Sequence, residues 1–110
     1  PSHLIWEMID TYQPVAEFAA RIFHVHAKDT RIDRERLQQV GILTDFSWWN
    51  YRIPGRGELD WDRFTDMLKK IGFAGTVSIE HEDADFEGSL DKVQEGLLLG
   101  KALLDEKLTA

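Results

Sequence analysis

Two periods run through the apolar positions of this chain, one near 3.6 residues and one of two. Trp61, Phe64, Leu68 and Ile71 recur at helical spacing behind Asp60, whose short carboxylate suits a helix start, and Gly72 follows as a stop. The β-branched run Thr76–Val77–Ser78–Ile79–Glu80 predicts a strand. Residues 22–26 predict another, with Ile22, His24 and His26 on one face and Phe23 and Val25 on the other. A short helix is expected from Pro14 to about Ala20, since proline suits a first turn and Val15, Phe18 and Ala19 share a face. In the last helix, capped by Ser89, the expected buried stripe is Leu90, Val93, Leu97 and Leu104, with Gly96 and Gly100 allowing close approach of a neighbour. Residues 1–6 read as the end of a strand. Residues 29–59 read as a long connection, functional or holding a short element of its own, with a brief helical turn at Arg34–Val40.

Strands alternating with helices argue for an α/β fold with parallel strands. Two strands make a poor parallel sheet, because such sheets need both faces covered. Length sharpens the point: 110 residues fall far short of the ~250 of a closed (β/α)₈ barrel. The balance of 13 Lys and Arg against 20 Asp and Glu, a formal charge of −7, speaks against nucleic acid as a partner. The chain has no cysteine, which excludes disulfides, thiolate metal sites and cysteine nucleophiles and fits a reducing, cytoplasmic setting. It has no run of 18 apolar residues, so no membrane span is expected.

Catalytic groups in α/β folds lie at the C-terminal ends of parallel strands. Three polar clusters hold such positions: His3, the run His24–Val25–His26–Ala27–Lys28–Asp29, and Glu80–His81–Glu82–Asp83. Imidazole and carboxylate are the usual ligands of Zn²⁺, Mn²⁺ and related ions. An isolated His-x-His is more often two polar residues on a strand face, and Glu80 read alone is a solvent-side strand end paired with Lys28. Together, His26 and Glu80 raise the ligand reading above that. Lys28 and Asp29 suit a structural ion pair; equally, Lys28 suits orienting a substrate oxygen, and Asp29 a second metal or a loop. The stretch from Trp48 to Glu58 covers a core, or its aromatics, Arg52 and glycines hold a polyol or phosphate. Trp61, Phe64 and Leu68 are core.

Pro-Ser-His-Leu-Ile-Trp at 1–6, Ile-Phe-His-Val-His-Ala-Lys-Asp at 22–29, Tyr-Arg-Ile-Pro-Gly-Arg-Gly-Glu-Leu-Asp-Trp at 51–61 and Val-Ser-Ile-Glu-His-Glu-Asp at 77–83 resemble the sugar phosphate isomerase/epimerase family. This is the xylose isomerase-like TIM barrel superfamily, which also includes endonuclease IV-type repair enzymes. The resemblance covers nearly the whole chain. It implies a partial (β/α)₈ barrel, one C-terminal portion over 1–110 running from the end of strand 6 to helix 8. The first residue, Pro rather than Met, points the same way.

In the family a divalent metal (Zn, Mn, Mg or Co) is held by carboxylates and a histidine at successive strand ends. Carried onto this chain, the resemblance implies His26 and Glu80 as metal ligands, with His24 the alternative to His26, and His3 as a substrate contact. The remaining two carboxylate ligands have no counterpart here. The implied activity is a sugar or sugar phosphate isomerase or epimerase that moves a proton beside a metal-polarised carbonyl. Glu80 serves as ligand and base, while His3, Arg52 and Lys28 orient the substrate. The chain alone is expected to be inactive. The alternatives are an endonuclease IV-like phosphodiesterase, which the acidic charge disfavours, an inosose dehydratase-like lyase, and a non-catalytic remnant. An open barrel edge predicts homo-oligomers.

Overall fold

The computed structural model describes residues 1–109, and its first departure from expectation is at the start. Ser2–Trp6 form a short helix, α1, not a strand end. Its last turn closes with Glu7 N–H donating to the His3 carbonyl at 3.0 Å. The next helix, α2, spans Gln13–Glu17 with Pro14 in its first turn, and a 3₁₀ turn at Ala19–Arg21 follows it. The predicted helix to Ala20 is thus split, tightening before the chain turns into β1.

Strand β1 spans His24–Ala27, two residues later than the start predicted from the apolar run. The long connection holds three elements of its own: β2 (Asp29–Ile32), α3 (Arg34–Val40) and β3 (Trp49–Arg52). Helix α3 is more than a turn because Asp33 caps it, accepting from Arg36 N–H at 2.9 Å. Strands β2 and β3 pair antiparallel, Asp29 opposite Arg52 and Ile32 opposite Trp49. Helix α4 (Trp61–Lys70) starts at Asp60, which accepts from Arg63 N–H at 3.0 Å, and ends before Gly72 at φ +68°. Strand β4 (Thr76–Ile79) pairs parallel with β1, Val25 opposite Val77 and Ala27 opposite Ile79. A 3₁₀ turn at Ala84–Phe86 leads to α5 (Leu90–Thr109), where Ser89 Oγ accepts from Lys92 N–H at 3.2 Å.

The parallel β1–β4 pair sorts its residues by face. Val25 and Ala27 pack with Trp61, Phe64, Leu68, Val15 and Leu104, and Val77 and Ile79 join that cluster. Burying Trp61, Phe64 and Leu68 contributes about 1.5–3 kcal/mol each. The other face of β1 carries His24 and His26, both exposed. Helix α5 corrects the sequence reading. Leu90 is 70 % exposed and Leu97 36 %, while Gly96, Gly100 and Leu104 are buried. The helix approaches through its glycines. A Cβ on Gly96 would sit 2.9 Å from Cβ of Phe86, so the bulky leucines beside the seam turn outward.

Candidate functional site

At the C-terminal end of the β1–β4 pair, three of the predicted residues meet. His26 Nδ1 lies 3.2 Å from Glu80 Oε2, and Lys28 Nζ donates to Glu80 Oε1 at 2.8 Å. Parallel pairing brings them together: Glu80 N–H donates to the Ala27 carbonyl at 3.1 Å, extending the ladder one residue past β4. Lys28 also donates to Glu82 at 3.0 Å and stands over the Tyr51 ring, 3.7 Å from its centre. Its side chain is 3 % exposed, against 40 % for Glu80 and 63 % for His26. Burial alone would lower the Lys28 ammonium, but the hydrogen bonds it donates to Glu80 and Glu82 outweigh it and hold the group above its ordinary value. The Lys28 hydrogen bond in turn holds Glu80 below the usual carboxylate range.

His24, the alternative to His26, bonds elsewhere. Its Nε2 lies 2.9 Å from Ser78 Oγ, and its ring meets that of His26 edge-on at 5.3 Å. His3 is exposed on α1 and reaches this cluster through Tyr51, whose ring is 5.4 Å away. Arg52 is set apart. It donates to Asp83 Oδ1 at 3.0 Å, and Arg56 donates to Asp83 Oδ2 at 3.0 Å. Asp83, fully buried, also accepts from the backbone N–H groups of Ile53 and Asp85. Burial would raise its carboxyl, but these donors and guanidiniums hold it below its ordinary value.

Lys28 and Asp29 do not pair with each other; Asp29 positions a loop. Its buried carboxylate accepts from N–H of Thr30 (2.9 Å), Gly55 (3.1 Å) and Leu59 (3.0 Å), and from the Trp61 indole (2.8 Å). Tyr51 and Glu82 are the neighbours whose part the sequence left unassigned. Reading Trp49 and Tyr51 as alternate residues of a strand would have put both rings on one face. Trp49 stacks on Trp6 at 4.6 Å and so ties β3 to α1.

Among the described residues no group of three or more His, Asp or Glu side chains is disposed to hold a metal ion. His26 and Glu80 offer one imidazole and one carboxylate, the right chemistry for a first-row divalent ion but fewer than the four donors it takes. Among the described residues no helix is long and apolar enough to cross a membrane.

A parallel βα unit with imidazole and carboxylate at its strand ends defines the α/β class whose chemistry sits on that rim. More narrowly, the chain belongs to the xylose isomerase-like TIM barrel family, whose model matches residues 1–103. It is 38 % identical over 92 residues to YfiH of Bacillus subtilis, an uncharacterized protein, covering 76 % of this chain and 29 % of that one. It is 23 % identical over 108 residues to an inosose dehydratase of Clostridium botulinum, covering 96 % and 35 %. An inosose dehydratase of Erwinia tasmaniensis is 32 % identical over 66 residues, covering 57 % and 22 %. The chain thus spans at most about a third of the length of these relatives.

Proposed function

We propose that this chain supplies the last strand ends of a barrel active site that moves a proton beside a carbonyl of a sugar or cyclic polyol, as an isomerase or epimerase. The observation that carries the reading is the Glu80 carboxylate. One oxygen is fixed by Lys28, and the other stands beside His26 on the uncovered face of β1–β4. Such a group takes a proton from the carbon next to a carbonyl and leaves an enediol. Return of the proton to the neighbouring carbon, with the hydroxyl proton passing between the two oxygens, isomerises the sugar; delivery of a proton to the same carbon from the opposite face, by a second acid outside these residues, epimerises it. The divalent ion implied by the resemblance would be held here by His26 and Glu80, with its other donors from outside these residues; when bound it would polarise the carbonyl. His3, whose ring meets that of Tyr51, would orient substrate hydroxyls.

A second outcome, loss of hydroxide from the enediol, is favoured by one observation: several similar proteins are inosose dehydratases. Proton NMR in D₂O tests the reading. A barrel-length protein carrying this chain, given Mn²⁺ and a ketose or an inosose, is expected to place deuterium on the carbon beside the carbonyl. Glu80→Gln is expected to slow this at least ~100-fold. Exchange at an unchanged rate in Glu80→Gln would overturn the reading, as would robust turnover by the 110-residue chain alone.

A further inference from the structure

We infer that the β2–β3 pair carries a ligand site of its own, a cleft that takes the zwitterion of a small α-amino acid. The register sets Arg31 opposite Asn50 and Asp29 opposite Arg52. Side chains alternate along a strand, so these four share one face, and Trp49 and Tyr51 share the other. Tyr51 meets Lys28 there and Trp49 meets Trp6, so that second face belongs to the strand-end cluster and α1. On the first face lies a separate cleft of about 410 Å³, lined by Arg31, Ile32, Asp33, Glu35, Asn50 and Arg52. Small-molecule sites occupy about 300–1,000 Å³, so the cleft suits a ligand at the small end of that range.

The two signs of charge are sorted onto different elements. The strands supply the guanidiniums of Arg31 and Arg52 and the Asn50 amide, and the start of α3 supplies the carboxylates of Asp33 and Glu35. Both walls are held in place. Arg52 is anchored through Nη1, which donates to buried Asp83 at 3.0 Å, and its Nε and Nη2 donors remain for a ligand. Asp33 spends Oδ1 on the α3 cap and keeps Oδ2. Its own N–H donates to the Trp48 carbonyl at 2.7 Å, and Ile32 N–H donates to Glu58 at 2.9 Å, which fixes the α3 wall against the strands. A preorganised site costs little to order on binding.

Two cations and two carboxylates make the cleft neutral overall and polarised within. A lone anion would meet Asp33 and Glu35, and a lone cation would meet Arg31 and Arg52. A zwitterion satisfies both walls: its carboxylate takes the planar guanidinium forks and the Asn50 amide, and its ammonium takes Asp33 and Glu35. The site stands apart from Glu80, so the inference does not depend on the proton-transfer reading.

Calorimetry tests it. The barrel-length protein carrying this chain is titrated with each of the common L-amino acids, and with inorganic phosphate and methylammonium as probes of a single sign. At least one amino acid is expected to bind, and more tightly than either probe. Its N-acetyl and methyl ester forms, each lacking one charge, should bind at least ~10-fold more weakly. Arg31 and Glu35 are both exposed, so Arg31→Met and Glu35→Gln should fold normally and each weaken binding at least ~10-fold. Failure of every amino acid to bind would overturn the inference. So would tighter binding of phosphate, undiminished binding of either blocked form, or an affinity that Arg31→Met leaves unmoved.

Discussion

Asp29 and Asp83 are both fully buried carboxylates, and they are balanced by different means. Asp29 is held by N–H donors alone: three backbone amides and one indole. Replacing it with alanine strands those donors, so Asp29→Ala should cost about 3–5 kcal/mol, read as a lower urea midpoint. Asp83 is held by two guanidiniums as well as two amides. Its folded-state carboxyl is depressed, so the stability it contributes is full above the ordinary aspartate value and lost as pH falls through the depressed one. Stability should therefore drop steeply below about pH 4. Asp83→Asn should flatten that drop while lowering the neutral-pH value, both visible in urea melts from pH 7 to 3. Holding a loop was one of the readings open for Asp29, but nothing in the sequence sets Asp83 apart from the acids around it. Apart from the nearby amides of Thr30 and Asp85, the partners of both aspartates lie about 30 residues away in the chain.

Between elements, α5 and the turn at Ala84–Phe86 meet in a close seam. Gly96→Ala puts a methyl 2.9 Å from Phe86 Cβ and 3.0 Å from His81 Nε2, whereas Gly100→Ala meets Pro54 at 3.3 Å. The gain in helix propensity is about 1 kcal/mol in each case. Overpacking of about 1–3 kcal/mol should outweigh it at Gly96 and roughly cancel it at Gly100, so thermal melts of the two variants should diverge. These glycines also explain what the apolar pattern conveyed and what it did not. Periodicity found α4, where large side chains fill the contact face: Trp61, Phe64 and Leu68. On α5 it found Leu104 and the close approach at Gly96 and Gly100 but misassigned Leu90 and Leu97, which are left outside because the contact positions beside them have no side chain. It read residues 1–6 as a strand end because α1 is too short to display a period. It left β2 and β3 inside a long connection because the two strands are separated by α3.

For the whole molecule, the legible part was the parallel β1–β4 pair and which side chains gather at its end. Of the predicted site residues, His26, Lys28 and Glu80 meet, His3 is linked to them through Tyr51, and Arg52 is bound to Asp83 instead. Among the described residues, strands β1 and β4 pair only with each other, so one edge of each has no partner there, and Phe18 and Phe23 stand 48 % and 80 % exposed beside β1. Unpaired edges recruit other strands. We therefore expect the chain to self-associate, its weight-average mass in sedimentation rising with concentration; a strictly monomeric species throughout would count against this. The Asp29 cluster has a consequence of another kind. One carboxylate ties the β2 amide of Thr30, the loop amides of Gly55 and Leu59, and the first residue of α4. None of these can open without releasing the others, so the three amides should form one cooperative unit. Their hydrogen exchange should follow a single opening free energy, and in Asp29→Ala all three should quicken together.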